Sequence, residues 1–283
     1  MHMHNKKIYF VAGLPRSGST LLMNILGQNP RLHVTATSGI LDMLVQVRNA
    51  WDKNFAFRAM PRESSDLRKR SVLQAMLQAY FADTDAPVCI DKNRGWLEFL
   101  EMAAALLGGK ENIRILVTVR DLRDVLASFE LRHRETTALG QIPQEAKDPI
   151  NYKTALGRLK SFIGREQPVG RAYNAIRDAV TRGWREQMHF IEYEALTAEP
   201  GNTLGEAYQF LAETPFAHQF DRVRQITVED DFIHGFRGLH SIQNTVHPRA
   251  PRWPEIYDAE VTGHDDWKDI EKNARFWRAY VSR

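Results

Sequence analysis

The first apolar run of the chain, Ile8-Tyr9-Phe10-Val11-Ala12, is continuous and stops at Gly13. That is the pattern of a short strand covered on both faces. From 19 to 26 the apolar positions fall at helical spacing, and Asn29-Pro30 ends the segment. Two more helical patterns follow over 41–51 and 67–81. Val88-Cys89-Ile90 reads as a second short strand, 96–107 as a helix closed by Gly108-Gly109, and 113–119 as the clearest strand of the chain. A helix from about 122 to 134 follows it. Strands alternating with helices at this spacing predict βαβ units and a parallel sheet. The expected fold is α/β: a three-layer, P-loop-type arrangement with a central, mainly parallel sheet flanked by helices, plus a helical insertion.

The second half is less regular. Residues 135–170 mix Gly140, Pro143, Pro149, Gly164 and Pro168 with weak periodicity, which reads as an inserted helical piece or an active-site cover. A helix resumes over 171–184, a strand over 189–193 and a helix over 204–211. The stretch 226–262 is loop-rich and carries His234, Arg237, His240, His247, Arg249 and Arg252 among aromatics; a last helix spans 266–280. With no repeat, low-complexity tract or linker, residues 1–283 read as one domain.

Composition adds limits rather than identity. The 283 residues include 38 Lys and Arg against 35 Asp and Glu, a net charge of +3 that does not argue for a nucleic-acid partner. The single thiol, Cys89, excludes an internal disulfide and, between Val88 and Ile90, reads as an inert core group. No apolar stretch approaches the roughly 20 residues of a membrane helix. The start of the chain lacks a signal-peptide core, so a cytoplasmic location is expected. His2 and His4 could bind a metal, but two histidines at a terminus read rather as tag-like or incidental.

Candidate chemistry begins after the first strand. Gly13-Leu14-Pro15-Arg16-Ser17-Gly18-Ser19-Thr20 lies between strand and helix, where backbone N–H groups form a concave anion site with the helix dipole behind it. Gly13 and Gly18 have the spacing of a phosphate-binding loop, and Thr20 stands where that motif has Ser or Thr. Ser19 occupies the place of its Lys, and a cation appears instead at Arg16. Such a loop, with hydroxyls at Ser17, Ser19 and Thr20, suits a less charged group than a triphosphate and need not hold a metal. A second anion site follows the strongest strand. Arg120 emerges at a strand's carboxyl end, where parallel sheets bind ligands, and Ser128 lies two turns along the next helix. Taken alone, Arg120 and Arg123 also read as surface charges paired with Asp121 and Asp124.

Together the two sites resemble the cofactor signature of sulfotransferases that use 3′-phosphoadenosine 5′-phosphosulfate (PAPS). The resemblance runs from about residue 8 to 213. It implies that the loop with Pro15, Arg16, Ser17, Gly18, Ser19 and Thr20 cradles the 5′-phosphosulfate, and that Arg120 and Ser128 hold the 3′-phosphate. Tyr193, in Phe190-Ile191-Glu192-Tyr193, is similar to the family's tyrosine beside the nucleotide. The implied reaction is in-line transfer of a sulfuryl group to a hydroxyl, or less often an amine, releasing PAP. Lys92, at the end of the second strand, resembles the family's lysine beside the sulfuryl group and would act with Arg16 on the leaving oxygen.

The chain departs from the family pattern at the general base. Where many members have His two residues after that Lys, it has Arg94, and the region after the first helix, His33 to Gly39, has no carboxylate before Asp42. Asp42 is the first candidate, with Glu98, His133 and His240 as alternatives. The late segment from Gly238 also departs, with Gln243 and Thr245 where basic residues are expected; His247, Arg249 and Arg252 are candidates to replace them. The acceptor is expected to be a small-molecule, carbohydrate or peptide hydroxyl, in a pocket drawing on Trp51, Phe55, Phe57, Tyr152, Trp253 and Tyr257. No metal, nucleic acid or membrane partner is expected. Two other readings stay open: a P-loop kinase using Asp91 for Mg²⁺, and a nucleotide-binding protein without catalysis.

Overall fold

Five strands form one sheet: β1 (Lys7–Gly13), β2 (Leu32–Thr37), β3 (Val88–Lys92), β4 (Ile115–Val119) and β5 (Met188–Glu192). They are described from a computed structural model covering residues 6–141, 152–234 and 238–281, the side chains at 232 and 234 excepted. The centre of the 135–170 insertion (142–151), His2, His4 and Arg237 lie outside the described residues. The strand order is β2-β3-β1-β4-β5, and every pair is parallel.

The apolar run of the first strand is explained by two-sided burial. Ile8, Phe10 and Ala12 enter one core together with Cys89, Ile115 and Val117. Tyr9 and Val11 enter the other with Ile90, Leu116 and Ile191. That second face is covered by α1 (Ser19–Leu26) and the helix Pro200–Leu211, through Leu22, Ile25, Leu26, Leu204 and Leu211. The first face carries α2 (Ile40–Lys53) and the helices Arg62–Tyr80, Leu100–Leu107, Leu122–Ala138, Ala155–Ile163 and Pro168–Thr181. Helices on both faces are what a parallel sheet needs to remove its apolar surface from water. Burial pushes the Cys89 thiol up to about 11, in line with an inert core thiol. Among the described residues no helix is long and apolar enough to cross a membrane.

Four local expectations are corrected. The strand β2 was not visible as a pattern: its alternation is broken by a register shift between Val34 and Thr37, and as an edge strand it is buried at Leu32 and Thr35 only. The helix expected over 96–107 is a 3₁₀ segment, Arg94–Glu98, followed by the α-helix Leu100–Leu107, because the Asn93 side chain caps Gly95 and restarts the chain there. Tyr193 does not end a strand but opens the helix Tyr193–Ala198. The last helix is divided into Asp265–Lys272 and Arg278–Val281.

The chain leaves β1 for β2 on one side, and later leaves β3 for β4 on the other side of β1. The carboxyl ends of β1, β3 and β4 therefore meet at a topological switch point, where open α/β sheets form a ligand crevice.

Candidate active site

A cleft of about 710 Å³ opens at those strand ends. Its floor is the loop joining β1 to α1. Gly13 has φ 132°, and a Cβ there would sit 2.1 Å from the Thr118 carbonyl oxygen, so the loop can lie against β4 only with glycine at this position. Gly18 has φ 86° and is the N-cap of α1 without a side-chain cap, which leaves the first N–H groups of the helix directed at the cleft. A Cβ at Gly18 would meet the Tyr193 ring at 2.6 Å. Arg16, at the crown, adopts a left-handed φ of 58°, a strained conformation for a non-glycine residue.

Pro15, Arg16, Gly18, Ser19 and Thr20 line the cleft, but Ser17 does not. The Ser17 hydroxyl is buried and bonds to Leu14 O at 2.5 Å and to the Thr118 hydroxyl at 2.8 Å. Of the three hydroxyls expected at an anion, this one instead pins the loop to β4. Arg16 is held by Ser128, whose Oγ accepts from Arg16 Nε at 3.0 Å, and by the Leu239 carbonyl. Ser128 thus meets Arg16, rather than standing with Arg120 alone.

Arg120 is 9% exposed and stacks over the Tyr193 ring with its guanidinium 4.4 Å from the ring centre. Its other contacts are long: 3.4 Å from Nη1 to Arg16 O and 3.7 Å from Nη2 to Asp124 Oδ2. Its buried Nε, like that of Arg132, has no hydrogen-bond partner among the described residues. Burial, then the like charges of Arg132 and Arg120, press the Arg16 guanidinium down to about 10. Three cations crowded in this way, with N–H groups unspent, form a site that an anion would relieve. Asp124 adds the late segment: its Oδ1 accepts from the backbone N–H of Arg252 at 2.8 Å and of Trp253 at 3.2 Å. Arg249, Arg252 and His247 line the cleft in consequence.

Lys92 ends β3, 7% exposed, with Nζ 3.2 Å from Glu229 Oε2. Burial lowers its pKa and Glu229 only partly offsets this. Burial alone would raise the Glu229 carboxyl, but Lys92, the Thr37 hydroxyl and His240 hold it below the usual carboxylate range. Glu229 escaped the sequence reading because nothing local marks it. It is delivered by Asn24 of α1, whose Oδ1 accepts from the N–H groups of Ile226 at 2.5 Å and Thr227 at 3.0 Å.

The base candidates separate. Asp42, in the first turn of α2, is exposed on the cleft wall. Glu98 is paired bidentately with Arg171 at 2.7 and 2.9 Å, and His133 is buried beside Tyr152; neither lines the cleft. His240 lines it. The Asp91 carboxylate is turned into the core, where it accepts from the Trp96 indole at 2.7 Å, and burial raises it to about 6. It does not line the cleft, so the kinase reading loses Asp91 as its metal ligand. Among the described residues no group of three or more His, Cys, Asp or Glu could hold a metal ion. The six aromatics expected around an acceptor also lie elsewhere: Trp51 stacks on Phe57 at 3.7 Å in a separate hollow, Phe55 is exposed, Trp253 packs on Trp267 at 5.3 Å, and Tyr152 and Tyr257 are core. Phe129 and Tyr193 are the aromatic rings on the cleft wall among the described residues.

A family model described as "Sulfotransferase family" matches residues 9–217. The sulfotransferase domain of the olefin synthase from Synechococcus PCC 7002 superposes with a TM-score of 0.55 at 18% identity, covering 97% of this chain and 95% of that one. Mouse sulfotransferase SULT7A1, solved in complex with PAP, superposes with a TM-score of 0.54 at 13% identity, covering 99% and 90%. At these identities the likeness is one of fold. No curated protein matches the chain in sequence.

Proposed function

The chain belongs to the sulfotransferase family, and from that premise we propose that it transfers a sulfuryl group from PAPS to a hydroxyl or amine acceptor and releases PAP. The observation that carries the reading is the convergence of Arg16, Arg120 and Arg132 beside the uncapped start of α1, at the switch point of the sheet. This donor set fits a nucleotide with phosphates on both sides of its ribose. The N–H groups of 18–20 and Arg16 suit the 5′ side. Arg120, with a buried Nε lacking a partner among the described residues, suits the 3′-phosphate.

Bound there, PAPS supplies the activated sulfuryl group on its 5′-phosphate. The residues of the chain do the rest. Tyr193, sandwiched between Gly18 and Arg120, fixes the distance between the two anion sites. Arg16 and Lys92 would act on the oxygen on which charge builds as the S–O bond breaks, and preorganised cations are where such catalysis gains most. Lys92 must exchange Glu229 for that oxygen, so the ion pair stores the cation in place until the co-substrate arrives. Asp42, the first base candidate, lines the same cleft. The reading takes residues 1–283 as one sulfotransferase domain whose 226–262 segment completes the cleft. A cytoplasmic setting accords with a lone buried thiol.

The test is transfer from sulfur-labelled PAPS to a panel of phenols, sugars, sterols and tyrosine peptides. Label appearing in an organic sulfate, with equimolar PAP, is the expected result. Retention of all label in PAPS, with Mg²⁺-dependent ATP turnover in its place, would return the kinase reading.

A further inference from the structure

Residues 229–231 and 238–241 bring a second group of side chains beside the cleft, which His240 lines. Asp231, in the turn Asp231–His234, holds His240 twice: Oδ1 lies 2.6 Å from His240 Nδ1, and Oδ2 accepts the His240 backbone N–H at 3.2 Å. The opposite ring nitrogen, Nε2, lies 3.7 Å from Glu229 Oε2, and Glu229 in turn holds Lys92 at 3.2 Å. Two bonded pairs, Asp231 with His240 and Glu229 with Lys92, therefore approach each other at 3.7 Å, beside the lysine at the end of β3. The Gln225 side chain fixes the other side of the residue by donating to the His240 carbonyl at 3.0 Å. Arg16, which bonds to the preceding carbonyl of Leu239, ties the same segment to the phosphate loop.

Resting on the sulfotransferase reading above, we propose that His240 is the general base of the reaction, with Asp231 as its positioning residue. A carboxylate on Nδ1 keeps the proton on that nitrogen and directs the basic Nε2 toward the reacting side. Nε2 takes the acceptor's hydroxyl proton as the acceptor oxygen bonds to sulfur. The S–O bond to the 5′-phosphate breaks, its electron pair leaves on PAP, and the imidazolium returns its proton to solvent. Among the described residues, the charged groups facing the ring are Asp231 and Glu229, which favour its charged form, and Lys92, which disfavours it. Burial and Lys92 outweigh the two carboxylates and hold the imidazole below the ordinary histidine range, so it is neutral and competent at pH 7. The segment thereby supplies from the far end of the chain a group that the Arg94 position lacks.

Two measurements on the full-length protein test this. In ¹⁵N NMR of the PAP complex at pH 7, His240 should be neutral with its proton on Nδ1, and Asp231→Asn should abolish that fixed tautomer. An imidazolium, or a proton on Nε2, would overturn the proposal whatever the acceptor. With the best acceptor of the labelled-PAPS panel, water included, His240→Gln should lower kcat/KM by about 10²–10⁴-fold. PAP affinity should be unchanged, so loss of PAP binding in the wild type would count against the sulfotransferase reading and not against the base. The Asp231→Asn variant should move the acid limb of the pH profile to lower pH, because a carboxylate that raises the imidazole pKa is gone. An acid limb unmoved, or a His240→Gln variant as active as wild type, would refute the assignment.

Discussion

Replacing Arg120 by Ala separates the two anion sites of the cleft. In the free protein this side chain has few polar bonds to lose: its contacts at 3.4 and 3.7 Å lie at or beyond hydrogen-bonding range, and its desolvated packing on Tyr193 contributes about 2 kcal/mol. Asp124, its ion-pair partner, keeps the N–H groups of Arg252 and Trp253 and is not left unsatisfied. The fold should therefore lose about 2 kcal/mol. The ligand loses a comparable amount. A hydrogen bond to a charged group is worth about 1.5–3 kcal/mol, and tenfold in affinity corresponds to about 1.4 kcal/mol. Binding of PAP should weaken by about 10–150-fold on this basis. Binding of 5′-AMP should stay the same, since the loop of 13–20 and Arg16 remain, and Arg16 loses one like-charged neighbour. Calorimetric titration of both nucleotides into both proteins, at one ionic strength, measures the four affinities. An equal loss for PAP and 5′-AMP, or no loss for PAP, would refute the assignment of Arg120 to the 3′-phosphate.

Three further expectations follow from the same geometry. Gly18→Ala should cost about 1–2 kcal/mol for a side chain in the left-handed region, and should weaken PAP because the new methyl displaces Tyr193 from Arg120. Adding Tyr193→Ala should relieve the clash but not the backbone cost, and thermal unfolding of the single and double variants distinguishes the two. Glu130, fully buried, accepts from Arg158 at 2.6 and 2.7 Å and from Arg134 at 2.7 Å. Burial alone would raise its carboxyl, but the two guanidiniums hold it below the usual range, so its stabilisation is present above the ordinary Glu range and lost as pH falls through the folded value. Glu130→Gln should cost about 3–5 kcal/mol at pH 7, and the gap to wild type in urea unfolding should narrow on acidification; a constant gap would be contrary. Asp91 has the opposite sign: its carboxyl is raised to about 6, so its contribution is present at acid pH and lost as pH rises through that value. Asp91→Asn should be no less stable than wild type at pH 8 and should retain sulfuryl transfer, whereas a metal-binding role would abolish turnover.

What could be read from the sequence follows from how local each signal is. The first strand, the loop of 13–20 and the strand–helix step at Arg120 are written in contiguous residues, so their order and place in the parallel sheet were legible. The edge strand β2 was hidden because a register shift breaks its alternation, and its half-buried Ala36 and exposed Thr37 could equally belong to a loop. Ser17 looked equivalent to Ser19 and Thr20, and only packing against Thr118 distinguishes it. The aromatics considered for an acceptor suit a pocket or a core equally in sequence, because burial and ligand lining look alike there; Tyr152 and Tyr257 serve the core. The Lys92–Glu229–His240–Asp231 cluster joins residues up to 148 positions apart across an Asn24 clamp, and no spacing rule connects them.

The central claim is that two anion sites, at the ends of β1 and β4, hold the two phosphates of one nucleotide. A crystal structure of the protein with PAP tests it most directly. The 5′-phosphate should lie on the N–H groups of residues 18–20 and Arg16, and the 3′-phosphate against Arg120 with Tyr193 between them. A nucleotide bound with its 3′-phosphate away from Arg120, or outside this cleft, would contradict the account.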